Sequence, residues 1–490
     1  MGELGEDFDE NISCDEYSGK TVICEFSDPN PFKVLHVGHL YTSVVGDAIS
    51  RLYEYAGAKV VRANFGGDVG LHVAKTLWAL VRGQKVLSGV GSLEPAVAGL
   101  APSFSAVACE IPREVPFALS IEDIAKCYVE GTKAYEEDEA AKAEIVEINK
   151  RIYEINRNDI HGEALADLYW KGRELSYQYF ADFYAKIGVK FDKYYPESTV
   201  AGRGLKEVEN GLANGVYEMS DGAVVYRGEK KGLHTRVFIN KEGLPTYEAK
   251  DVGLIFTKWD DYRFDKSVVI TGNDIIEYMK VVLSSVAEMN AELPARTTHL
   301  THGQVKLPGS VKMSSRKGNF LKAVDVLDMV TNELEESYNS KDFVVALGAT
   351  KYAFLKYKMG GDIIFDPKES VKMTGNSGPY LQYSCVRAKK ILSKINSNKI
   401  ENNKINKNEK TLVKKMLEYR GVLGEAVKEM APHKVAGYLY ELAQEFSRFY
   451  ENCPVVGSEN EAWRGQLVEI YLKTMTHGLR ILGIEIPEEM

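Results

Sequence analysis

Two histidines flank the dipeptide Val-Gly in VLHVGHLYTSVVGD, which spans residues 34–47. His36 and His39 stand where a strand-like segment gives way to a helix-like one, and a helix that follows a parallel strand binds phosphates at its amino end. Imidazoles there can donate to phosphate oxygens whose charge grows as a pyrophosphate leaves. Gly38 lets a nucleotide approach the backbone. The residues leave open that both histidines only cap a turn.

A second stretch, VKMSSRKGN at residues 311–319, is rich in cations and hydroxyls. A loop of this composition can hold the outer phosphates of ATP. Taken alone, it could also be a solvated basic loop. The residues that we expect to contact ATP in it are Lys312, Met313, Ser314, Ser315, Arg316 and Lys317.

The elements around the histidines predict a βαβ unit. Residues 21–26, TVICEF, are apolar and β-branched, which favours a buried strand that DPNPF then ends. Apolar residues then recur at helical spacing up to Gly57, and AKVVRANFGG follows as a second strand. Strand, turn, helix and strand in this order are typical of a doubly wound parallel sheet.

Farther along, residues 83–120 are small and interrupted by proline and glycine, which predicts a loop-like insertion followed by strong helices. AVVYRG, TRVFIN and KSVVITGND predict strands. From about Asp366 onward the pattern is almost purely helical, and Val435, Leu439, Leu442 and Phe446 fall on one face.

Composition and charge exclude several classes of protein. The chain has 490 residues, 44% hydrophobic and 27% charged, with no apolar run of the ~18–20 residues that a membrane span needs. The first 19 residues are acidic and hold no basic residue, unlike a targeting peptide. Six separated cysteines without a C-x-x-C pair indicate free thiols, so we expect a cytoplasmic protein.

The net charge of −9 means that any nucleic-acid surface must be local. Residues 385–420 carry eleven Lys and Arg against three Glu, a net charge of +8. This segment is also Asn-rich, so a solvated linker is the alternative interpretation.

Together these stretches resemble the class I aminoacyl-tRNA synthetases, and within them the arginyl-tRNA synthetases. The resemblance extends from about residue 20 to the last residue. It rests on EFSDPNPFKVLHVGHL, SDGAVVYRG, GLPTYEAKDVG, VKMSSRKGN, TGNSGPYLQYSCVRA and the terminal LGIEIPEEM.

The resemblance implies an arginine pocket. Glu25 and Asn30 match the family's pocket glutamate and asparagine, while Tyr247 and Asp251 match the tyrosine and aspartate that hold the guanidinium. A planar, permanently charged guanidinium calls for carboxylates that accept paired N–H bonds. Asn30 suits the α-amino and carboxyl groups. Without the family, Glu25 could be a strand-end ion pair and Asp251 a surface residue of a helix.

The implied reaction joins arginine to ATP, as its Mg²⁺ complex, to give arginyl-adenylate, and then moves the arginyl group to the terminal ribose of tRNA(Arg). His36, His39, Lys312 and Arg316 are the implied catalytic residues. No tightly bound cofactor or metal and no membrane partner are expected, and we expect a monomer. The implied tRNA-binding residues are Tyr380, Gln382, Tyr383, Arg387 and Met490.

The sequence departs from the family at three points. An ungapped alignment puts Ile275 where the family has a glutamine at the substrate's α-amino end. Either Asp274 beside it or a bound water then makes up the contact, or arginine is held more weakly. Ser315 stands for the usual second lysine of the loop, and Arg316 or Lys317 must supply that charge. Family members also usually begin with a separate domain of about a hundred residues, whereas this chain starts almost at the catalytic strand.

We therefore predict a Rossmann-type α/β catalytic domain with a helical insertion, followed by an all-α anticodon-binding domain. The predicted boundaries are an acidic tail at 1–19, the catalytic domain at 20–300 with its insertion at about 83–205, the loop and connector at 301–365, and the helical domain at 366–490. Two rival functions stay open: a class I synthetase for another amino acid, and a synthetase-derived RNA-binding protein without catalysis.

Overall fold

A computed structural model of the chain describes Ile12 and residues 14–87, 119–309, 321–395 and 405–490. The strands in these residues are β1 (Thr21–Glu25), β2 (Lys59–Gly66), β3 (Lys193–Pro196), β4 (Glu218–Ser220), β5 (Ala223–Tyr226), β6 (Arg236–Ile239), β7 (Lys266–Gly272), β8 (Thr297–His302), β9 (Val305–Lys306) and β10 (Ile363–Ile364).

The α-helices up to the end of the central sheet are α1 (Val37–Tyr55), α2 (Leu71–Leu87), α3 (Ile121–Glu137), α4 (Glu139–Asn158), α5 (Ala164–Lys186), α6 (Glu197–Ala213), α7 (Tyr247–Tyr262), α8 (Ile276–Met289) and α9 (Glu292–Arg296). Those that follow are α10 (Ala323–Tyr338), α11 (Phe343–Leu355), α12 (Pro367–Ser370), α13 (Gly378–Leu392), α14 (Lys407–Leu417), α15 (Tyr419–Glu429), α16 (Pro432–Asn452) and α17 (Glu461–Ile481).

The central sheet has five strands in the order β3-β2-β1-β7-β8, and every neighbouring pair is parallel. The strand order reverses at β1, since the chain passes to β2 on one side and later returns to β7 on the other. In open α/β sheets, ligands bind in the crevice at the carboxyl ends of the strands beside such a switch. The carboxyl ends of β1 and β7 therefore mark the expected site.

Both faces of the sheet are covered, as its sequence predicts. Along β1, Val22 and Cys24 pack into one buried cluster, and Ile23 packs into another on the opposite face. The first of these clusters continues without a break into the helices at the carboxyl end of the chain. Helix α1 contacts α10, α11, α15, α16 and α17, so the helix that begins at the histidines also supports the helical domain.

The loop between β1 and α1 is held in an unusual backbone conformation. Ser27, Asp28 and Phe32 all have positive φ, at 73°, 47° and 65°, a left-handed conformation that costs free energy in residues other than glycine. Polar contacts stabilise it. The backbone N–H of Phe65 donates to the Asp28 carboxylate at 2.8 Å, and that of Phe32 donates to the Ser176 hydroxyl at 3.0 Å.

The predicted fold class is confirmed by the parallel sheet and the helical C-terminal part. One element is a correction: β3 lies inside the span predicted as the insertion, yet it pairs with β2 in the central sheet. Its sequence, KYYP, is only four residues long, lacks a β-branched residue and ends in proline, so its two strand-favouring tyrosines are too weak a signal to predict a strand. The predicted loop-like stretch falls largely on residues 88–118, outside the described residues.

In the part of the chain that the structure describes, no helix combines the length and apolar character that crossing a bilayer requires. The cysteines within the same part, Cys14, Cys24, Cys127, Cys385 and Cys453, are free thiols.

Candidate functional site

The two histidines form the first turn of α1. The ring Nδ1 of His36 accepts a hydrogen bond from the backbone N–H of Gly38 at 3.1 Å. The ring Nδ1 of His39 accepts one from the backbone N–H of His36, also at 3.1 Å. The rings stack with centroids 3.8 Å apart and planes inclined by 19°. The capping role that the sequence left open is therefore present, as a capping box built from histidines.

The same hydrogen bonds determine which ring nitrogen carries the proton. In a neutral imidazole one nitrogen donates and the other accepts, and in both rings the acceptor is Nδ1. Burial, assisted by the charge of Lys33, lowers the pKa of His36 to about 4, and burial lowers the pKa of His39 well below its usual value. Both rings are neutral at pH 7 and protonated on Nε2, the atom that can donate to a phosphate.

Gly38 has a steric reason to be glycine that its sequence position did not reveal. A Cβ atom at this residue would lie 2.9 Å from both Cε1 and Nδ1 of the His36 ring. A side chain at Gly38 would therefore push His36 out of the capping position. The glycine is therefore needed to keep the His36 ring in its capping position, independently of any contact with a nucleotide.

Two charged residues beside the histidines differ in how well the sequence predicted them. Lys33 lowers the pKa of both histidines, and its Nζ lies 4.7 Å from the centre of the Tyr128 ring. Sequence reasoning missed this lysine, although it stands three residues before the first histidine. Burial lowers the pKa of His36 and of His302, and the charge of Asp274, predicted to bind arginine, partly opposes this lowering. Its carboxylate thus lies on the histidine side of the crevice.

The loop residues predicted to contact ATP, Lys312 to Lys317, lie outside the described residues. The described residues resume at Leu321, which lies next to the histidine turn. The backbone N–H of Val37 donates to the carbonyl of Leu321, and that of Ala323 donates to the carbonyl of Leu35, both at 2.9 Å. Residues 321–323 therefore lie against the first turn of α1.

Acidic side chains meet at the carboxyl end of β1. Glu25 is 4% exposed, and its Oε2 accepts from the Lys258 ammonium group at 2.6 Å. The ion pair that the sequence left open for Glu25 thus exists, inside the crevice. Asp251, on the same helix as Lys258, accepts a hydrogen bond from the hydroxyl of Tyr278 on α8. Asp251 is half-buried and is not the surface residue of the alternative interpretation.

The electrostatics of this pocket are unbalanced towards negative charge. Burial, with the charges of Glu25 and Glu197 adding to it, raises the pKa of Asp251 to about 7. Burial and the neighbouring Glu25 also raise the pKa of Asp28 well above its usual value. A cation bound beside these carboxyl groups would favour their charged forms.

Glu197 at the start of α6 accepts from Lys250 on α7 at 2.7 Å, and both side chains are buried. The four carboxyl groups of Glu25, Asp28, Glu197 and Asp251 thus face the two ammonium groups of Lys250 and Lys258.

The other predicted arginine-binding residues lie at the rim of this acidic pocket. Tyr247 is the first residue of α7 and is 53% exposed, with the Lys250 ammonium 5.0 Å from its ring centre. The side-chain oxygen of Asn30 accepts from the backbone N–H of Gly67 at 2.9 Å. A Cβ at Gly67 would meet both Asn30 and Glu197, which places Asn30 beside the pocket.

Helices α6 and α7 pack closely because glycines face backbone. A Cβ atom at Gly204 would lie 2.0 Å from the carbonyl oxygen of Ala249, and one at Gly253 would lie 2.3 Å from that of Val200. This contact sets the position of Asp251 relative to Glu197.

The position of the missing family glutamine is partly accounted for. Ile275 ends a short 3-10 turn, Asn273–Ile275, and is half-buried. The Asn273 amide donates to the carbonyl of Gly360 at 2.9 Å. Tyr278, one turn farther along, is the side chain that reaches Asp251. Sequence reasoning missed both Tyr278 and Lys258.

The predicted tRNA-binding residues are divided between the surface and the interior of the helical domain. The Arg387 guanidinium lies 4.8 Å from the ring centre of Tyr383 and 5.5 Å from that of the exposed Tyr450. Tyr383 and Met490 line a cavity of about 320 Å³.

Gln382, in contrast, is buried, and its amide donates to the carbonyls of Val344 and Glu485 at 3.1 and 2.7 Å. The fold therefore uses Gln382 to hold the terminal segment. The Tyr380 hydroxyl is within hydrogen-bond distance of Ser447, at 3.2 Å.

Two family models match the chain. The catalytic domain of tRNA synthetases class I (R) matches residues 9–83 and 112–366. The DALR anticodon binding domain matches residues 381–490. The chain belongs to the class I arginyl-tRNA synthetase family.

Named relatives of this arginyl-tRNA synthetase family member agree with the models. The chain is 29% identical to an arginine–tRNA ligase of Porphyromonas gingivalis, with 96% of this chain and 80% of the relative aligned. It is 28% identical to an arginine–tRNA ligase of Treponema pallidum, over the same shares of the two chains.

Solved structures share the fold of this family member. Thermus thermophilus arginyl-tRNA synthetase superimposes with a TM-score of 0.76 at 22% identity, covering 99% of this chain and 86% of its own. The Plasmodium falciparum enzyme gives a TM-score of 0.72 at 20% identity, covering 98% and 78%. A Mycobacterium tuberculosis methionyl-tRNA synthetase, solved with methionyl-adenylate, gives 0.55 at 12% identity, covering 94% and 90%.

Proposed function

We propose that the chain is an arginine–tRNA ligase, which activates arginine with ATP and transfers it to the 3′-terminal ribose of tRNA(Arg). The observation that carries this proposal is the pairing of two sites at one edge of the sheet. Glu25 ends β1 and His36 caps the helix that follows, so the acidic group around Glu25 and Asp251, to which we assign the guanidinium, and the histidine turn both lie at the carboxyl edge of the sheet.

In the first step, a carboxylate oxygen of arginine attacks the α-phosphorus of Mg·ATP. The new O–P bond forms arginyl-adenylate, the bond from phosphorus to the bridging oxygen breaks, and pyrophosphate leaves. His36 and His39 donate through Nε2 to the oxygens that gain charge. Lys33 adds a positive charge that faces both rings. Lys312 and Arg316 are proposed to stabilise the departing pyrophosphate.

In the second step, the 2′-hydroxyl of the terminal ribose attacks the carbonyl carbon of the adenylate. The ester bond forms, the bond between the carbonyl carbon and AMP breaks, and the hydroxyl proton passes to solvent water. No protein nucleophile takes part, so positioning and electrostatics supply the catalysis.

Within the pocket, we assign Asp251 as the main acceptor for the guanidinium. Its carboxyl group has a raised pKa, which a guanidinium at the site would lower by favouring the charged form. Glu25 already accepts from Lys258 and supplies a second negative charge. Asn30 and Tyr247 at the rim are proposed to contact the amino-acid end and the stem of the substrate.

For the nucleic acid, we propose that Tyr383, Arg387 and Met490 contact the tRNA, with Tyr380 beside them. Stacked tyrosine and arginine side chains suit unpaired bases, because every base offers a π-face and a nearby phosphate. Gln382 is assigned to the interior, where it holds the terminal segment. A cytoplasmic monomer stays the prediction for compartment and assembly.

The test of the function is ATP–pyrophosphate exchange with each of the twenty amino acids, with and without tRNA. Of the twenty amino acids, only arginine should support exchange. Exchange driven by another amino acid would identify a different synthetase, and its absence in all samples would indicate an RNA-binding protein without catalysis.

The pocket assignment is tested by Asp251→Asn, with Asp260→Asn as the matched control. Asp260 lies on the same helix, is exposed, and pairs with Arg203 and Arg263. Removing the charge of Asp251 should weaken arginine binding by about 2–5 kcal/mol and leave the KM for ATP unchanged. Equal arginine KM values in the two variants would show that Asp251 does not bind the guanidinium.

A further inference from the structure

Tyr278 connects two helices across the acidic pocket. It lies in the first turn of α8, three residues after Ile275, and its side chain is half-buried. Its hydroxyl donates to Oδ2 of Asp251 on α7. This side chain is therefore in direct contact with the carboxylate that we assign to the guanidinium.

The Tyr278 ring also contacts an arginine side chain. The guanidinium of Arg236 on β6 lies 5.2 Å from the ring centre, within the range of a cation–π contact. Arg236 also donates to Oε1 of Glu248 at 3.0 Å, and Glu248 is buried in the first turn of α7. A closed circuit of contacts thus runs from α7 through Arg236 and Tyr278 back to Asp251.

This circuit determines how the Asp251 carboxylate can turn. An ionised carboxylate offers about four lone-pair positions on its two oxygens, and the Tyr278 hydroxyl occupies one on Oδ2. A guanidinium donates two parallel N–H bonds in one plane, so the carboxylate must present both oxygens edge-on to receive it. A donor fixed on Oδ2 limits rotation about the bond that carries the carboxylate.

We propose that Tyr278 is a positioning residue of the arginine site, whose hydroxyl fixes the orientation in which the Asp251 carboxylate meets the guanidinium. The inference rests on the proposed function of this pocket. It assigns to Tyr278 an effect on the affinity for arginine, with no direct role at ATP.

The charges around Asp251 support this role. Glu25 faces it from β1, Glu197 from α6, and Lys258 from its own helix, while Tyr278 approaches from α8. Burial and the two glutamates raise the pKa of Asp251 to about 7, and the Tyr278 hydrogen bond and Lys258 act in the opposite direction. Loss of the hydroxyl should therefore raise this pKa further and leave less carboxylate at neutral pH.

The test is Tyr278→Phe, which removes the hydroxyl and keeps the ring over which Arg236 lies. Hydrogen bonds to charged groups are stronger than neutral ones, so we expect the KM for arginine at pH 7 to rise about tenfold. The KM for ATP and the kcat at saturating arginine should stay at wild-type values. The pH at which the arginine KM begins to rise should move to a higher value.

The matched control is Tyr226→Phe. Tyr226 also donates its hydroxyl to a carboxylate of α8, Glu288, at 2.6 Å, but lies on β5 outside the pocket. This variant should keep the wild-type KM for arginine. Combining Tyr278→Phe with Asp251→Asn should add nothing to the effect of Asp251→Asn, because both changes act through one contact.

An unchanged or lower arginine KM in Tyr278→Phe at all pH values would overturn the inference. A fall in kcat and a rise in the ATP KM, together with a lower melting temperature, would assign a structural role to Tyr278 and also overturn it. Wild-type protein without arginine-dependent exchange would instead overturn the proposed function, and this inference with it.

Discussion

The backbone N–H of His36 donates to the ring of His39, and the two rings stack with their centres 3.8 Å apart. In both rings Nδ1 accepts a hydrogen bond from a backbone N–H. The same two side chains therefore form the helix cap and supply the proposed phosphate donors. Nδ1 fixes the turn, and Nε2 carries the proton that can be donated. Structural and catalytic roles can therefore be separated by replacing one ring nitrogen at a time.

His39→Asn should keep the cap and lose the donor, because an asparagine oxygen can take the place of Nδ1. Losing one such donor typically slows the chemical step by about 100- to 1000-fold. We expect this fall in the exchange rate with little change in melting temperature or arginine KM. His39→Gln, whose amide N–H reaches towards the Nε2 position, should recover part of the rate. If His39→Asn exchanges at the wild-type rate per folded molecule, the histidines serve only as a cap.

Arginine binding should depend on pH near neutrality. Burial and the charges of Glu25 and Glu197 raise the pKa of Asp251 to about 7, and the guanidinium binds the ionised form. Affinity should therefore fall as the pH drops below about 7, by up to about tenfold per pH unit, and binding at pH 7 should release about half a proton per arginine. His36, with a pKa of about 4, stays neutral throughout this range.

The measurement for this prediction is calorimetry of arginine binding in two buffers with different ionisation enthalpies. Asp251→Asn is the control, since it has no proton to release at this position. A binding enthalpy that is independent of the buffer in the wild-type protein would contradict the assignment of Asp251.

Local sequence signals predicted the elements that build the site. The β-branched run of β1 and the apolar spacing along α1 are determined by neighbouring residues, so both elements could be predicted from the sequence. The strand β3 could not, because four residues with a terminal proline acquire strand geometry only by pairing with β2.

Within the site, the sequence and the family resemblance gave Glu25 and Asp251 but not their partners. Lys258 is 233 residues from Glu25 along the chain, and Tyr278 is 27 residues from Asp251. No periodicity connects residues so far apart, and only the packing of α7 and α8 against the sheet brings them together. Gln382 illustrates the reverse case, since a polar residue in a promising motif proved to be buried.

The packing of α6 against α7 should control arginine binding from outside the pocket. Gly204→Ala would place a Cβ 2.0 Å from the carbonyl of Ala249, so the helices must separate. Overpacking of this kind costs about 1–3 kcal/mol of folding free energy, and the shift of α7 should raise the arginine KM.

Gly202→Ala, on the same helix with nothing within 4 Å of the added atom, is the matched control. It should stabilise the fold by about 0.4–1 kcal/mol, because alanine restricts the unfolded chain. Thermal unfolding and arginine kinetics of both variants decide the point. Indistinguishable behaviour of the two would mean that this helix contact does not position Asp251.

Salt dependence should separate two kinds of tRNA contact in the helical domain. Arg387 lies against the rings of Tyr383 and Tyr450, where its charge can meet a phosphate while the rings meet bases. Arg387→Gln should weaken tRNA binding and reduce the slope of log Kd against log salt by about one, since one fewer counterion is released. Tyr383→Leu should weaken binding by about 1–3 kcal/mol through lost stacking and leave that slope unchanged.

The control for this last prediction is Arg227→Gln in the full chain. Arg227 is an exposed arginine that follows β5 and pairs with Glu218 at 2.7 Å. It carries the same charge as Arg387 but lies in the catalytic part of the chain, so its loss should change neither affinity nor slope. Filter binding of tRNA at several salt concentrations gives both quantities for every variant. If Arg387→Gln and Arg227→Gln have the same slope and affinity as the wild type, the Tyr383–Arg387 surface does not contact tRNA phosphates, and the interface must lie on another face of the helical domain.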